Sequence, residues 1–585
     1  MAEGFLSPQR KKMMEDVGVE YFDDLISRSF FQHSGDDQSL FTMHDLINDL
    51  AKFVSREFCF RLDDSDSFNN VSSKTRHFSY TQNSPFLEGL GVGVHARLQR
   101  RRFLVLINLK LYAKPMLSLS HCNNKELPYW IGNLKHLRYI DLSYSRFEKL
   151  PETICTLHNL QTLLLFNCYE LAQLPINLGR LINLRHLDVR STNLKEMPPH
   201  MDKLKDLHTL SDFVVGKQTA PSIVVLKELQ IVGTLAISGL HNIVNSEDAF
   251  VANMRNKHLD GLALTWGAET DDSQKDREVL NNLQPHTHLK ALSLKFYGGT
   301  RFPDWLGDHS FSNLVSLQLE DCKHCCALPP LGQLPSLVTL YVCGLNEVET
   351  IGPEFYGNGV SVVMPFRSLS VLFFKDMLGW QEWSHFGSSQ EGGAFPHLCQ
   401  LYLTNCPKLT QKLPEYLPSL TTLEIRRCEQ LLGSLPRTRA ILEIPSVKDN
   451  LCLEEKTSGT NSSLTPFPCD GLADALRVLK IKNCWNLSPL NYCYAFLKTL
   501  KIKSSCDSTT SIPLDYFPNV KELKLYDCRN LESLTYSQDS ESPTILSLSS
   551  LRIFNCPNFI SFPDGGLYAP NLIVLNISEC DKLRL

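Results

Sequence analysis

No run in this 585-residue chain approaches the roughly 18 consecutive apolar residues that a membrane-spanning helix needs. The opening stretch, MAEGFLSPQRKKMMED, breaks into charge at once and holds no signal-peptide core. Charge of one sign is equally scarce. A formal net charge of −5 and a pI near 6.4 remove any global attraction to nucleic acid or to a membrane surface, so charged recognition has to be local. The pattern G-x-x-x-x-G-K-[ST] is absent, as are H-E-x-x-H and G-x-S-x-G. These absences leave no backbone nest for a triphosphate, no zinc-protease helix and no nucleophile elbow. No catalysis is expected, and a cytoplasmic location is.

What the chain has in quantity is apolar residues, 43%, and nineteen cysteines. The first figure suits a globular or repeat protein too long for one core. An odd cysteine count without a secretory leader argues for reduced thiols, and their positions say more. From Leu134 the leucines recur every 23 or 24 residues, with Leu134, Leu157, Leu181 and Leu204 heading four successive L-x-x-L-x-x-L-x-L units. This is a leucine-rich repeat. Its L-x-L core predicts a short strand, as at Leu163-Leu164-Leu165, Leu187-Asp188-Val189, Leu317-Gln318-Leu319 and Leu575-Asn576-Ile577. Roughly 18 such strands between Leu117 and Ile577 suffice for neighbours to bury a core that none could bury alone.

Nine cysteines fall three residues after the last strand leucine: Cys122, Cys168, Cys322, Cys406, Cys428, Cys484, Cys528, Cys556 and Cys580. Ser145, Thr192 and Ser505 take that place in other units. The position calls for a small side chain that tolerates burial and can bond weakly to the next turn's backbone. A hydrophobic residue and proline then close many units (Leu127-Pro128, Leu150-Pro151, Leu174-Pro175, Leu413-Pro414, Phe562-Pro563), on a return where no strand ladder is expected to continue. The CKHCC run at 322–326 does not read as a zinc site, because Cys322 has its repeat role and no second pair stands at ligand spacing.

Ahead of the repeats, 13–30 reads as a helix with Met14, Val17, Tyr21, Leu25 and Ile26 on one side. A polar turn, SGDDQS, and a strand, LFTM, lead into a second helix. In that helix Met43, Leu46, Ile47, Leu50, Ala51 and Val54 recur at helical spacing as one buried face. Helix, strand, turn, strand, helix suits a winged helix. Asp45 and Asp49 against Lys52 make its second helix a poor phosphate-seeking face, so DNA binding is not expected. His44 begins that helix beside an acid, a place where histidines commonly cap or pack.

MAEGF, EDVGVEYFDDLISRSFFQ and FTMHDLINDLA together resemble the winged-helix subdomain of plant coiled-coil-type nucleotide-binding leucine-rich-repeat disease resistance proteins. The L-P closure resembles the intracellular repeats of plants. In that family the histidine of the Met43-His44-Asp45 triad lies against the phosphates of bound ADP and helps hold the receptor off, so the resemblance gives His44 and Asp45 a cofactor-binding role. MAEGF lies inside a continuing domain there. The resemblance therefore implies that the coiled coil, phosphate loop and helical subdomain are missing upstream, an N-terminal truncation, and that RRFLVLINLKLYAKPMLSLS marks a junction near 100–116. One histidine supplies at most one hydrogen bond, about 1–3 kcal/mol, against roughly 8 kcal/mol for micromolar binding. The intact family uses ADP or ATP; this chain alone is expected to bind neither.

The expected architecture is an α/β leucine-rich-repeat solenoid, a horseshoe, preceded by a partial winged helix. The winged helix takes 1–62, a linker and pre-repeat strand 63–103 (TRHFSY at 75–80), and the repeats 104–585, irregular at 211–310 and 436–475. Within 211–310, HNIVNSEDAFVANMRNKHLDGLALTW reads as a helix feeding a strand; 436–475 reads as a degenerate repeat plus a loop. Residues flanking the strand leucines point to the concave face. In the later repeats they collect Arg426, Arg427, Arg477, Lys480, Lys482, Lys498, Lys501, Lys503, Lys521 and Lys524; earlier strands show Asp141, Asp188, Glu320 and Asp321. The basic half is expected to meet an acidic partner, which the resemblance makes a pathogen effector or a guarded host protein, and the early half to face the receptor's own nucleotide-binding module. The alternatives are a generic repeat scaffold, such as a ubiquitin-ligase substrate adaptor, and a non-functional receptor fragment.

Overall fold

The computed structural model describes residues 14–34, 37–55, 59–62, 77–80, 116–217, 222–267, 272–357, 364–384, 393–410, 413–414, 417–431, 475–484, 494–505, 509–536 and 546–584. MAEGF, the segment 100–115 and nearly all of 436–475 lie outside the described residues. The chain forms two compact units, Met1–Leu262 and Ala263–Leu585.

The first unit opens with α1 (Met14–Ser27), β1 (Phe31–Ser34), β2 (Asp37–Met43) and α2 (Asp45–Ser55), the order read from the sequence. The two strands pair antiparallel, Phe31 opposite Met43 and His33 opposite Phe41. Phe22 of α1 packs on Phe31 at 5.2 Å and edge-on to Phe41 at 4.9 Å, and Val17 is buried. Ser29 takes a left-handed φ of 62°, and the Phe30 N–H bonds back to the Leu25 carbonyl at 3.0 Å, which closes α1 as helix C-terminal motifs do.

Two expectations change here. Tyr21, placed on the buried side of α1, is exposed; Phe22, about 100° further around the helix, is the residue that reaches the hairpin. On α2 the apolar stripe is real, but Leu46, Leu50, Phe53 and Val54 are all exposed, Leu46 at 74%. Periodicity marks a face that can be buried, and among the described residues that face stays open.

Seven parallel strands follow in chain order: β3 (Cys59–Leu62), β4 (His77–Tyr80), β5 (Met116–Ser118), β6 (Tyr139–Asp141), β7 (Thr162–Leu164), β8 (His186–Asp188) and β9 (Thr209–Leu210). Cys59–Leu62, grouped with the winged helix by the expected boundary at 62, pairs with His77–Tyr80 and so joins the repeat ladder. β10 (Asp212–Val214) and β11 (Gly233–Ser238) pair in parallel further on. A short helix at Ser246–Val251 then feeds β12 (Leu259–Thr265), as the irregular sequence predicted.

The second unit repeats the design. Its main strands are β13 (Ala291–Lys295), β14 (Ser316–Glu320) and β15 (Thr339–Cys343). On the return beyond them lies the two-residue β16 (Thr350–Ile351). After β17 (Val371–Lys375) comes β18 (Glu382–Trp383), which pairs with β16 in a ladder of its own. The main ladder continues through β19 (Gln400–Thr404), β20 (Thr422–Arg426), β21 (Val478–Lys482) and β22 (Thr499–Lys503). β23 (Ser511–Pro513) precedes β24 (Glu522–Tyr526), and β25 (Ser533–Thr535) pairs with β23; β26 (Ser550–Phe554) and β27 (Val574–Ser578) end the chain's strands. Pairing from β13 to β27 is parallel and in unbroken register, leucine opposite leucine. This register sets every row of the strand face.

The return side departs from expectation. Glu126 bridges Lys149 and Lys149 bridges Gln173, each one residue before a Leu-Pro pair, and Pro513 itself ends a paired strand. A second, intermittent ladder therefore runs there; proline closes it because it brings no N–H to extend it.

Each repeat turns by the same device. The residue after the strand is left-handed in Asp321, Asp376, Asn405, Arg427, Asn483, Ser504, Asp527, Asn555 and Glu579. Asn and Asp tolerate that region best among side-chain-bearing residues. The small residue next along then turns inward. Ser145 donates to the Leu119 carbonyl at 3.1 Å and accepts from the Cys122 N–H at 3.0 Å. Cys168 Sγ reaches the Leu142 carbonyl at 3.1 Å, the same bond to the preceding repeat. Cys325 of the CKHCC run likewise donates to Gly299 O, at 3.0 Å. Gly132, Gly179 and Gly332 recur where the return passes within contact of the next repeat's backbone, at Thr153, His200 and Tyr356, leaving no room for a Cβ.

Candidate functional site

His44 and Asp45 stand where the sequence placed them, at the start of α2, but the geometry assigns the histidine a local task. His44 Nδ1 accepts the Leu46 N–H at 3.3 Å, and the His44 carbonyl takes the first helical bond, from Asn48 N–H at 2.8 Å. His44 is the N-cap of α2, satisfying a donor that the helix cannot satisfy itself. Asp45 lies in the first turn, where its charge suits the helix dipole. Both side chains are exposed.

On the second unit's strand face the register sorts the ten basic candidates. One row reads Tyr341, Phe373, Tyr402, Glu424, Lys480, Lys501, Lys524, Arg552 and Asn576. The row beside it reads Arg426, Lys482, Lys503, Tyr526 and Phe554. Neighbours in a row stand about 4.8 Å apart, the strand spacing. Six expected cations thus come together, joined by Arg552, which the sequence reading missed. The other four do not join them. Arg427 occupies the left-handed turn after β20, its N–H on the Lys482 carbonyl at 2.8 Å. Arg477, Lys498 and Lys521 each precede their strand by one residue and form a separate line at its entry, Arg477 lying 5.0 Å over the Phe496 ring. Only residues inside a strand alternate between its two faces, so proximity to a leucine was too loose a criterion.

Counter-ions divide the rows further. Glu424, only 6% exposed, pairs with Arg426 and, at 3.3 Å, with Lys480. Lys503 meets Asp527 at 3.2 Å and Lys524 meets Glu522 at 2.8 Å. The Lys524 ammonium holds the Glu522 carboxyl below its ordinary range. Burial works against ionisation of Asp527, yet the Asn555 amide and the Lys503 ammonium keep its pKa low as well. Lys482 and Lys501 have no carboxylate partner among the described residues; Lys501 lies 5.4 Å from the centre of the Tyr526 ring. Seven cations therefore face three carboxylates, Glu424, Glu522 and Asp527.

The acidic residues of earlier strands are tied up locally. Asp188 forks onto Arg190 at 2.6 Å, Glu320 meets Lys295 at 2.7 Å, and Asp141 accepts the Ser143 N–H at 2.9 Å. Asp321 is a turn residue.

Fold and face define a leucine-rich-repeat protein with a winged-helix leader. A family model described as the disease resistance protein winged helix domain matches residues 1–51, and one for R13L1/DRL21 leucine-rich repeats matches 223–345. A putative disease resistance protein of Arabidopsis thaliana is 43% identical over 72% of the chain and 32% of its own length. The putative disease resistance RPP13-like protein 1 of the same plant is 36% identical over 100% of the chain and 53% of its own length. Disease resistance protein RGA2 of Solanum bulbocastanum is 33% identical over 73% of the chain and 43% of its own length. The chain belongs to the plant disease resistance proteins with leucine-rich repeats, and it spans between a third and about half the length of these relatives. A ubiquitin-ligase adaptor is not favoured, since the winged-helix match occupies the place where an adaptor's helical module would stand.

Proposed function

We propose that this chain is the recognition part of a cytoplasmic plant immune receptor, binding a pathogen effector, or a host protein that an effector has modified, through the strand face of its later repeats. The two cationic rows over β20 to β26 carry this reading. A local positive strip on a chain of net charge −5 suits an acidic partner surface and steers its approach. The open Leu46, Leu50, Phe53 and Val54 face of α2 supports a second docking surface, for the nucleotide-binding module of the intact receptor. Among the described residues no helix is long and apolar enough to cross a membrane. The role is recognition, without catalysis.

Reversing Lys482 and Lys501 together to glutamate tests the reading, because neither has an ion-pair partner to orphan among the described residues. Loss of two half-exposed attractions and gain of two repulsions, at ~0.2–1 kcal/mol each, is expected to weaken binding about tenfold or more at low ionic strength, with an unchanged melting temperature. Elution from immobilised poly-glutamate on a salt gradient measures it. Elution of the double variant at the wild-type salt concentration would sink the proposal.

No ADP or ATP is bound by this chain alone in this reading, since His44, with Nδ1 on the Leu46 N–H, has at most one ring nitrogen left to offer a phosphate, and one hydrogen bond falls short of micromolar affinity. His44→Ala is expected to cost α2 about 1 kcal/mol as a lost cap, seen as faster amide exchange at Leu46 and Ile47. It should leave calorimetric titration with ADP as flat as the wild type; micromolar uptake abolished by the substitution would restore the family role.

A further inference from the structure

The row that carries Lys480, Lys501, Lys524 and Arg552 begins with rings. Phe373 and Tyr402 lie face to face, centroids 4.1 Å apart and planes 8° from parallel, and Tyr341 leans on Phe373 at 5.8 Å. All three are half-buried, and burial pushes the Tyr341 and Tyr402 hydroxyls up from their ordinary pKa. The facing surfaces of Phe373 and Tyr402 are spent on each other. Between this ridge and the cations stands Glu424, enclosed and neutralised by Arg426 and Lys480.

We propose that the ridge and the cations form one docking strip for an acidic protein segment that crosses the strands, seating an aromatic or branched aliphatic side chain on Tyr341, Phe373 and Tyr402 and its carboxylates on Lys501, Lys482 and Arg552. The strip rests on the recognition reading above and gives the partner its chemistry. The ridge supplies desolvated apolar contact, the usual source of a hot spot, and the three cations are those of the two rows without a counter-ion in hydrogen-bonding reach among the described residues. Glu424 sets the order of the segment: with Arg426 and Lys480 already paired to it, that step of the strip offers a carboxylate no free cation, so the residues between anchor and acids are neutral. From Tyr402 on β19 to Lys501 on β22 is three strand steps, about 14 Å. An extended chain covers that in about four residues. The segment therefore reads anchor, a neutral spacer of about three residues, then acids.

A single-stranded nucleic acid shares the charge requirement but not the rest. Its bases need open ring faces to stack on, and here the faces between Phe373 and Tyr402 are closed.

The test uses the full chain and fluorescence anisotropy with labelled synthetic peptides. One carries a tryptophan, a three-residue Gly/Ser spacer and a run of glutamates; a second replaces the tryptophan by glycine; an oligothymidylate of similar length is the third probe. The anchored peptide is expected to bind about tenfold more tightly than the glycine peptide, and Phe373→Ser and Lys501→Glu are each expected to remove about tenfold. Tyr402→Ser replaces Phe373→Ser if the latter lowers the melting temperature. Equal binding of both peptides, sensitive to Lys501→Glu alone, overturns the strip and leaves the basic recognition face standing. Failure of both peptides to bind at low salt, or tighter binding of the oligothymidylate, overturns both.

Discussion

Trp383→Ala is expected to cost the second unit about 3–5 kcal/mol, the range for deleting an enclosed tryptophan. Trp383 is 1% exposed at the end of β18, with the rings of Phe374 at 5.5 Å, Trp380 at 5.4 Å and Phe395 at 6.1 Å. Its indole N–H donates to the Tyr356 hydroxyl at 2.9 Å, which in turn donates to the Ser384 carbonyl at 2.9 Å. The cavity left by alanine cannot collapse easily. β18 is held against β16, and the Trp380 indole is fixed on the Glu382 carbonyl at 2.8 Å. Trp383→Phe keeps most of the ring contact and loses the indole bond, so about 1 kcal/mol is expected. Urea midpoints should fall in the order wild type, phenylalanine, alanine; coincident midpoints for the two variants would show that packing is not the larger effect.

The second large effect is alkaline lability. Burial pushes Cys122, Cys155, Cys322 and Cys484 up to about 12 and Cys168 to about 11, from an ordinary 9.0. Burial also raises Cys325 and Cys343, and Cys428 is raised chiefly by its hydrogen bond with Cys406 and then by burial. Above pH 9 the unfolded chain releases protons that the folded chain keeps, so stability falls as pH rises. The contribution is complete below the ordinary thiol value and is lost between pH 9 and about 12. Each thiol adds a slope of about 1.4 kcal/mol per pH unit once its unfolded form is ionised.

Lys257 works the other way. Burial lowers its pKa from 10.5 to about 8, so the folded state gains stability as pH rises between those values, but this amine and the Cys556 thiol, lowered chiefly by its hydrogen bond with Cys528, oppose the eight thiols above and Cys580, also raised by burial. The thermal midpoint in reducing buffer is expected to drop steeply between pH 9 and 11. Cys168→Ser and Cys484→Ser should flatten the drop at little cost at pH 7, since Ser145 and Ser505 already fill equivalent places. A level profile to pH 11 would contradict the account.

Much of the fold was legible because it is built from short, local signals. The 23- or 24-residue leucine period, the L-x-L strands and the cysteine after each turn reappear as parallel strands, buried leucines and inward-facing thiols. The winged-helix order was legible for the same reason, and the helix feeding β12 as well. Site membership was less so. Arg427 looks like a face residue until its φ of 53° puts it in a turn, and Glu424 shows no sign in the sequence of holding two cations. The ridge of Tyr341, Phe373 and Tyr402 was open to discovery by aligning every strand on its L-x-L core, which places those rings in the row of Lys480.

The chain's own order of residues settles that repeats stack, where each strand lies, which side of it is buried and where each unit turns, because these follow from contacts within one repeat or with the next. Which cations stand together, and which are already neutralised, emerges only when strands far apart in sequence pair. Lys480 meets Glu424 across a long insertion because β21 bonds directly to β20. His44 follows the same logic: its residue type and place were plain in the sequence, but the Leu46 N–H that occupies its ring nitrogen depends on how the backbone enters α2. Hydrogen bonds and ion pairs depend on distances of a few ångströms, and packing in three dimensions sets those distances.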